Sequence, residues 1–448
     1  MKPSVLLVNP WIYDFGAFDL WAKPLGLLYI AAWLRRSGFQ VRLVDCLDRH
    51  HPRSGAPQQR PAWATGTGQW ARTPVPLPRP LTGIPRRFSR YGLPVEAFRE
   101  DLLAGPRPDL IMVTSGMTYW YPGVQHAIGQ VKNIWPDVPL VLGGTYATLC
   151  REHAEQYSGA DIVVSGAGGE LPDIVADRTP VTAGELGAFD PLQPGGWPAL
   201  DLYPRLDFAP LMTSRGCPGR CPYCASRQLT AGFLQRPVDD VLSEIQDRYQ
   251  RLGLTHFAFF DDALLIRAES HLTPILSHVV RQGWPLRFHA PNGLHVGLID
   301  PELARLMRTA GFQTIRLGLE TLDPTRGVAL GSKVEPQHFE NAVANLLAAG
   351  FDPKRIGVYI LFGLPNQPLD EVLSTARAVR ALGVVPYLAE YSPLPGTPLW
   401  PESRRTSPFD LAGEPLYQNN LFFPCRGPDF SWDEVWRIKR EAKGTSAK

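Results

Sequence analysis

Three cysteines fall within one octapeptide, Cys217-Pro218-Gly219-Arg220-Cys221-Pro222-Tyr223-Cys224. Thiolates this close, on a loop bent by two prolines and a glycine, can hold three corners of an iron–sulfur cube and leave the fourth iron without a protein ligand. An open coordination position is what catalytic metal chemistry requires. The competing chemistry is a structural zinc, with Cys221-x-x-Cys224 as one half-site. No second CxxC is present, so Cys217 and one of His256, His289 or His295 would have to complete a Cys3His set. The chain has only 6 cysteines in 448 residues, too few for a disulfide framework, and Cys46, Cys150 and Cys425 are scattered. A lone cysteine such as Cys425 is more often a small buried hydrophobe than a functional group.

The elements around the octapeptide alternate. Strand candidates run over 209–214, 255–260, 286–290, 314–319, 356–362 and 386–391. Between them lie amphipathic helices, one carrying Val238, Val241, Leu242, Ile245, Tyr249 and Leu252, another Phe339, Val343, Leu346 and Leu347. Six β units, each but the last followed by a helix, predict a barrel or partial barrel whose active face lies at the strand carboxyl ends. The cysteines directly follow the first of these strands. Carboxylates stand at other strand ends, and each has two readings. Asp261 and Asp262 could bind a ligand or cap the next helix; Glu320 could bind a ligand or form an ion pair in the barrel mouth. Arg316, two residues inward from Gly318, could pair with either carboxylate. Beyond Trp400 the tail reads as irregular, with a basic, frayed end.

The first half alternates as well. Val5–Val8, Val41–Asp45, Leu110–Val113, Leu140–Leu142 and Ile162–Val164 are short, nearly continuous apolar runs, separated by helix-like stretches such as Leu27–Leu34, for which Gly38 is a C-cap candidate. Such runs indicate a parallel sheet covered on both faces. Its strand ends carry Ser115-Gly116, Gly143-Gly144 and Gly166-Ala167-Gly168-Gly169-Glu170, where glycines let a backbone approach a bulky ligand. None of these is GxGxxG, so a nicotinamide or flavin site is not indicated. Residues 49–99 interrupt the alternation with nine prolines, excess Arg, and Trp63, Trp70, Phe88 and Tyr91. They read as a surface insertion or lid with a solvated basic face, or else as a nucleic-acid arm. The Pro-rich joint at about 195–207 marks a boundary. The expected organisation is α/β throughout. A doubly wound, Rossmann-like sheet spans 1–195, a partial (β/α)6 TIM barrel spans 196–400, and a short irregular extension spans 401–448.

Composition narrows the function classes. Hydrophobic residues are 44% and charged residues 20%, the make-up of a globular protein. With 45 basic and 43 acidic residues, a net charge of +2 supplies no global field toward nucleic acid or anionic membrane. The 41 glycines and 45 prolines, about a fifth of the chain, foretell many loops. The longest apolar stretch, Leu25–Leu34, is about half of what a bilayer span needs. The apolar residues after Met1-Lys2-Pro3-Ser4 are too few for a signal-peptide core, so a cytoplasmic protein is expected.

Cys-x3-Cys-x-aromatic-Cys after the first barrel strand resembles the radical SAM superfamily. Further strand ends match in order: Phe260-Asp261-Asp262, Pro291-Asn292-Gly293-Leu294, Gly318-Leu319-Glu320-Thr321, Gly363-Leu364-Pro365 and Tyr391-Ser392-Pro393-Leu394-Pro395-Gly396-Thr397. The resemblance implies a 4Fe-4S cluster on Cys217, Cys221 and Cys224, with S-adenosylmethionine (SAM) chelating the unique iron. It further implies Tyr223 beside the adenine, Asp261 and Asp262 on the methionyl amine, Asn292 and Arg316 as further cofactor contacts, Glu320 on the nucleoside, and Gly363 near the adenine. The first half resembles the cobalamin-binding domain that precedes many radical SAM cores, through Pro24-Leu25-Gly26-Leu27, Gly38-Phe39-x-Val41, Pro108-Asp109-Leu110-Ile111, Gly143-Gly144-Thr145-Tyr146-Ala147-Thr148 and Gly166-x-Gly168-Gly169-Glu170. On that resemblance Gly26, Ser115, Gly116, Gly143, Gly144, Gly166 and Glu170 would contact cobalamin. The Asp-x-His-x-x-Gly cobalt-ligand motif has only a near miss, Asp48-Arg49-His50-His51-Pro52-Arg53, with Arg53 in the glycine's place.

What these resemblances imply is reductive cleavage of SAM to a 5′-deoxyadenosyl radical, hydrogen abstraction from an unactivated carbon, and methyl transfer from cobalamin. The expected partners are a small-molecule or peptide substrate and an electron donor such as flavodoxin or ferredoxin. The rival chemistry is radical rearrangement or cyclisation without methyl transfer, and the non-catalytic rival is a cofactor-binding sensor.

Overall fold

Val5, Leu6, Leu7 and Val8 have no solvent exposure, which places their strand at the centre of a sheet covered on both faces. In the computed structural model, which describes residues 2–55, 65–331, 335–427 and 430–444, this strand is β1 (Ser4–Asn9). It lies between β2 (Gln40–Asp45) and β3 (Leu110–Val113), and β4 (Leu140–Leu142) and β5 (Ile162–Val163) extend the sheet beyond β3. The order is β5-β4-β3-β1-β2 and every pairing is parallel. Strand order reverses at β1, so the crevice between the carboxyl ends of β1 and β3 is the topological switch point where doubly wound sheets bind ligands. Helices α1 (Leu25–Arg36), α2 (Val95–Leu103), α3 (Tyr121–Ile134), α4 (Thr145–Leu149), α5 (Arg151–Tyr157) and α6 (Leu171–Arg178) join and cover the strands. Gly38, at φ +87°, donates to the Arg35 carbonyl and turns the chain out of α1 into β2.

The expected solvated insertion is instead folded over most of its described length. Ile12–Asp14, Ser89–Tyr91 and Arg72–Pro74 form an antiparallel three-stranded sheet, and Trp70, Leu81, Ile84, Phe88, Tyr91 and Leu93 are buried. Pro74 ends the strand Arg72–Pro74 and Pro80 stands in the single turn Arg79–Leu81, where a missing amide costs no ladder bond. Arg49, read as part of a basic face, is bound by Asp19 at 2.9 Å and by the Gly66 carbonyl. Trp63 lies outside the described residues.

The chain divides into two compact units. The first holds residues 1–207 together with 228–230 and 413–419; the second holds the rest. Packing carries the first unit past the expected boundary at 195, because Ala199 donates to the Leu28 carbonyl and the Tyr203 hydroxyl to Asp45 at 2.6 Å. Near the other end of the chain, the Asn419 amide donates to Asp14 at 2.8 Å and the Tyr121 hydroxyl to Glu414 at 3.0 Å.

In the second unit six parallel strands lie side by side in chain order: β6 (Ala209–Leu211), β7 (His256–Phe259), β8 (Arg287–His289), β9 (Phe312–Glu320), β10 (Ile356–Phe362) and β11 (Val385–Glu390). β6 and β11 are the two edges, so the barrel is partial. Helices α7 (Val238–Gln250), α8 (Leu272–Gln282), α9 (Pro301–Ala310), α10 (Pro336–Ala348) and α11 (Leu369–Ala381) form the returns. Phe259, Phe288 and Phe312, from three neighbouring strands, pack as a triangle of buried rings with centroids 5.4, 5.5 and 5.7 Å apart. The tail is more ordered than expected. It forms α12 (Trp400–Thr406) and α13 (Trp432–Lys443), the latter burying Val435, Ile438 and Ala442, an apolar stripe that the surrounding charges obscure. The last residues of the basic end, 445–448, lie outside the described residues. Among the described residues no helix is long and apolar enough to cross a membrane.

Candidate active site and cofactor sites

The cysteine loop hangs from a hairpin. After β6 the chain pairs Ser214–Gly216 antiparallel with Phe233–Gln235, and the residues between them leave the barrel at its carboxyl end. Cys217, Cys221 and Cys224 are free thiols, each half-buried. Gly219 lies beside two of them: a Cβ there would stand 3.2 Å from the Cys217 Sγ and 3.9 Å from the Cys221 Sγ. The Gly219 amide donates to the Cys217 sulfur at 3.3 Å and the Ser226 amide to the Cys224 sulfur at 3.5 Å. Burial pushes the Cys217 and Cys221 thiols up, so a bound cation is what would hold them as thiolates. Among the described residues no three His, Cys, Asp or Glu side chains converge on one ion. Cluster ligands need not, since each holds a different iron and the three surround a cube. The donor set therefore fits an iron–sulfur cluster. The histidines that would complete a zinc set are engaged elsewhere. His256 Nδ1 and His289 Nε2 lie 3.0 Å apart, and His295 accepts from the Gly297 amide.

Glu320 closes β9 at a bulge, with φ +68°, a backbone conformation a side chain rarely adopts. The Tyr223 hydroxyl donates to its carboxylate, and Cys221 is an electrostatic neighbour of both. Burial lifts the Glu320 carboxyl to about 7, against the opposing pull of Tyr223. Cys221, Tyr223 and Glu320 thus form one group at the strand ends. Asp262 reaches solvent, accepts from Ser226, and places its charge near Cys217.

Asp261 departs from the expectation. It is 3% exposed and its carboxylate accepts from the Thr213 amide and hydroxyl and from the Ser214 hydroxyl, so it is not presented to a ligand. Asn292 donates to the Asp261 carbonyl at 3.0 Å. Arg316 meets neither carboxylate: it bonds the Ile315 and Arg355 carbonyls and lies 4.4 Å over the Tyr387 ring. Gly357 makes that course possible, since a Cβ there would come within 2.8 Å of both side chains. Gly363, at φ +89°, gives its space to the Phe423 ring, 2.7 Å from where a Cβ would be. Sequence reasoning missed Thr213, Ser214, Arg236 and Phe423. Of these only Arg236 carried a local signal, its i, i+4, i+8 spacing to Asp240 and Glu244.

At the carboxyl edge of the first sheet, Ser115, Gly143, Gly144 and Gly166 come together. The Ser115 hydroxyl donates to the Gly143 carbonyl at 2.7 Å and accepts from the Ala147 amide. Gly144, at φ +97°, passes so close that a Cβ would stand 2.3 Å from the Ser115 carbonyl oxygen. Thr148 links Gly144 to Gly166 by accepting from the Gly166 amide and donating to the Gly144 carbonyl. Gly116 lies under the Trp120 ring. Gly26, in the first turn of α1, and Glu170, before α6, are exposed. A Cβ on Gly166 or Gly169 would meet nothing within 4 Å, and one on Gly143 nothing nearer than 3.9 Å. This open glycine edge fits the flank of a large planar cofactor. His50 and His51 are held by Asp207 and Asp101.

Two family models match the chain: the Radical SAM superfamily over residues 211–379 and the B12 binding domain over residues 91–175. The second match begins beyond β1 and β2. An uncharacterized methyltransferase, PH0819, of Pyrococcus horikoshii is 24% identical over 332 residues, which are 65% of this chain and 69% of that one. A cytidylyl-2-hydroxyethylphosphonate methyltransferase of Streptomyces wedmorensis is 22% identical, over 71% of this chain and 65% of its own. In fold, the chain is similar to the radical S-adenosylmethionine methyltransferase TsrM of Kitasatospora setae, solved with cobalamin and a [4Fe-4S] cluster, with a TM-score of 0.67 at 18% identity over 98% of this chain and 91% of TsrM. With six parallel strands, a three-cysteine loop and a doubly wound sheet earlier in the sequence, the chain carries a radical SAM domain and, N-terminal to it, a B12 binding domain.

Proposed function

We propose that this protein is a cobalamin-dependent radical SAM enzyme that methylates an unactivated carbon of a small-molecule or peptide substrate. The observation that carries the reading is the set of three free, half-buried thiols in one octapeptide, two of them beside Gly219, at the carboxyl end of the first strand of a partial barrel. Bound there, a [4Fe-4S] cluster and SAM supply one-electron cleavage of a carbon–sulfur bond, and cobalamin supplies the methyl group. The protein binds, orients and excludes water. Cys217, Cys221 and Cys224 would hold three irons. Glu320 and Tyr223, hydrogen-bonded to each other beside Cys221, would hold the nucleoside. Asp262 would meet the methionyl amine. In the first unit, the open edge at Gly143, Gly166 and Gly169 would take the cobalamin flank, while Ser115 and Gly144 keep that edge rigid. A cytoplasmic setting, with flavodoxin or ferredoxin as electron donor, suits free thiols and a cluster that must be reduced.

The test is the cofactor content of protein purified without oxygen. About four irons with matching sulfide and one cobalamin per chain, released as the dicyano form by cyanide, are expected. Cys221→Ala should lose the cluster absorbance and SAM cleavage together; a variant that keeps a full cluster spectrum would overturn the assignment. Methyl transfer is then read from products, because it yields S-adenosylhomocysteine alongside 5′-deoxyadenosine. Cleavage to 5′-deoxyadenosine alone would favour rearrangement or cyclisation.

A further inference from the structure

We propose that Asp261 is a positioning residue, one that clamps the root of the cysteine loop and leaves the methionyl amine to Asp262. The inference rests on the reading that the loop carries a cluster and SAM. The loop has two roots. On the entering side, Asp261 Oδ1 accepts from the Thr213 amide at 3.1 Å, the Thr213 hydroxyl at 2.7 Å and the Ser214 hydroxyl at 2.6 Å. Its Oδ2 also accepts from the Thr213 amide, at 3.2 Å. A carboxylate turned onto its own chain by these bonds, and buried besides, offers no open approach to a charged amine.

On the leaving side stands Arg236, itself 3% exposed. Its amide donates to the Thr213 carbonyl and its Nη1 to the Met212 carbonyl, both at 2.9 Å. Asp240 and Glu244 on α7 hold the guanidinium, Glu244 at 2.6 Å. Met212, Thr213 and Ser214 are therefore gripped by a buried anion from the end of β7 and by a buried cation before α7. Asn292 draws in the end of β8 through the Asp261 carbonyl. Cys217 emerges three residues beyond Ser214, so the grip sets where the first cluster ligand stands. Asp262, one residue on, points the other way: it is exposed, accepts from Ser226, and lies near Cys217.

The experiment compares Asp261→Asn and Asp262→Asn in the full chain. Two readouts use reconstituted enzyme, the kcat and KM(SAM) of 5′-deoxyadenosine formation and the EPR spectrum of the reduced cluster with and without SAM. A third uses cluster-free protein, the hydrogen exchange of the peptide spanning 209–217. Asp261→Asn should speed that exchange by about tenfold, the loss of one charge-assisted bond. It should also broaden the EPR signal and lower kcat while KM stays nearly unchanged. Asp262→Asn should raise KM by about tenfold, with exchange unaltered. Raised KM with retained kcat and unchanged exchange in Asp261→Asn would overturn the proposal. If that variant does not fold, Thr213→Val with Ser214→Ala removes the hydroxyl donors alone and should reproduce the faster exchange; no change there would equally overturn it. A wild-type chain that takes up no cluster would defeat the functional reading instead, and the exchange comparison would still decide the clamp.

Discussion

At Gly144 and Gly166 φ is positive, +97° and +70°, yet a Cβ would meet the Ser115 carbonyl oxygen at 2.3 Å in the first case and nothing within 4 Å in the second. Gly144 also has ψ −165°, a region nearly reserved for glycine, so strain and collision add there, while Gly166 has no collision. Gly166→Ala should cost about 1 kcal/mol, the left-handed penalty alone. Gly144→Ala should cost about 3 kcal/mol or more, because the β3 and β4 ends must also part. Thermal melts of the cofactor-free protein distinguish them. A second residue-scale prediction concerns His289, which is fully buried between His256 and Thr314. Burial holds its pKa down to about 3. Between that value and the ordinary histidine range the unfolded chain binds the proton and the folded chain does not. Stability is therefore intact above about pH 6.5 and falls as pH drops below it, by up to about 1.4 kcal/mol per pH unit. Urea unfolding at pH 7 and pH 5 should show the loss, and His289→Gln should flatten that dependence.

Element by element, the periodic signals are legible and the polar ones are not. The six barrel strands stand within a few residues of where apolar runs predict them, since a strand buried on both faces is nearly continuous in hydrophobicity. α13 was hidden because its apolar stripe at Val435, Ile438 and Ala442 is narrow among many charges. Its burial is nonetheless substantial: Ile438 has no exposure, and Lys439 bonds Glu390 while Arg377 bonds Glu441. Ile438→Ala should cost about 3 kcal/mol, as for other large-to-small core changes. A fall of the second unit's unfolding midpoint in urea is the measurement; a fall near zero would mean that α13 does not help hold the barrel.

For the whole molecule, the notable feature is that the first unit is assembled from chain segments hundreds of residues apart. Residues 413–419 belong to it, and Asn419, with no exposure, donates to the buried Asp14. Trp120 and the Phe15 amide are its other donors, and burial still lifts the Asp14 carboxyl to about 6. Asn419→Ala would leave that carboxylate one donor short, at about 2 kcal/mol. The expected result is a lower melting temperature together with weaker cobalamin retention. Glu414→Ala, which removes the acceptor of the Tyr121 hydroxyl, should lower the melting temperature further when combined with it.

The chemistry of the cluster loop, the repeated strand–helix pattern and the glycine-edged first sheet could all be read from the sequence. Ligand spacing and hydrophobic period are encoded between near neighbours. Which acids remain free was decided only in three dimensions. Asp261 and Asp262 are adjacent and alike, yet donors 47 and 48 positions earlier in the chain occupy one carboxylate and not the other. Arg316 runs to Tyr387 because Gly357 leaves it room, and Gly363 receives Phe423 from the tail. These choices depend on which side chains the barrel brings within hydrogen-bonding or van der Waals distance, and closure of the fold, not local spacing, sets those distances.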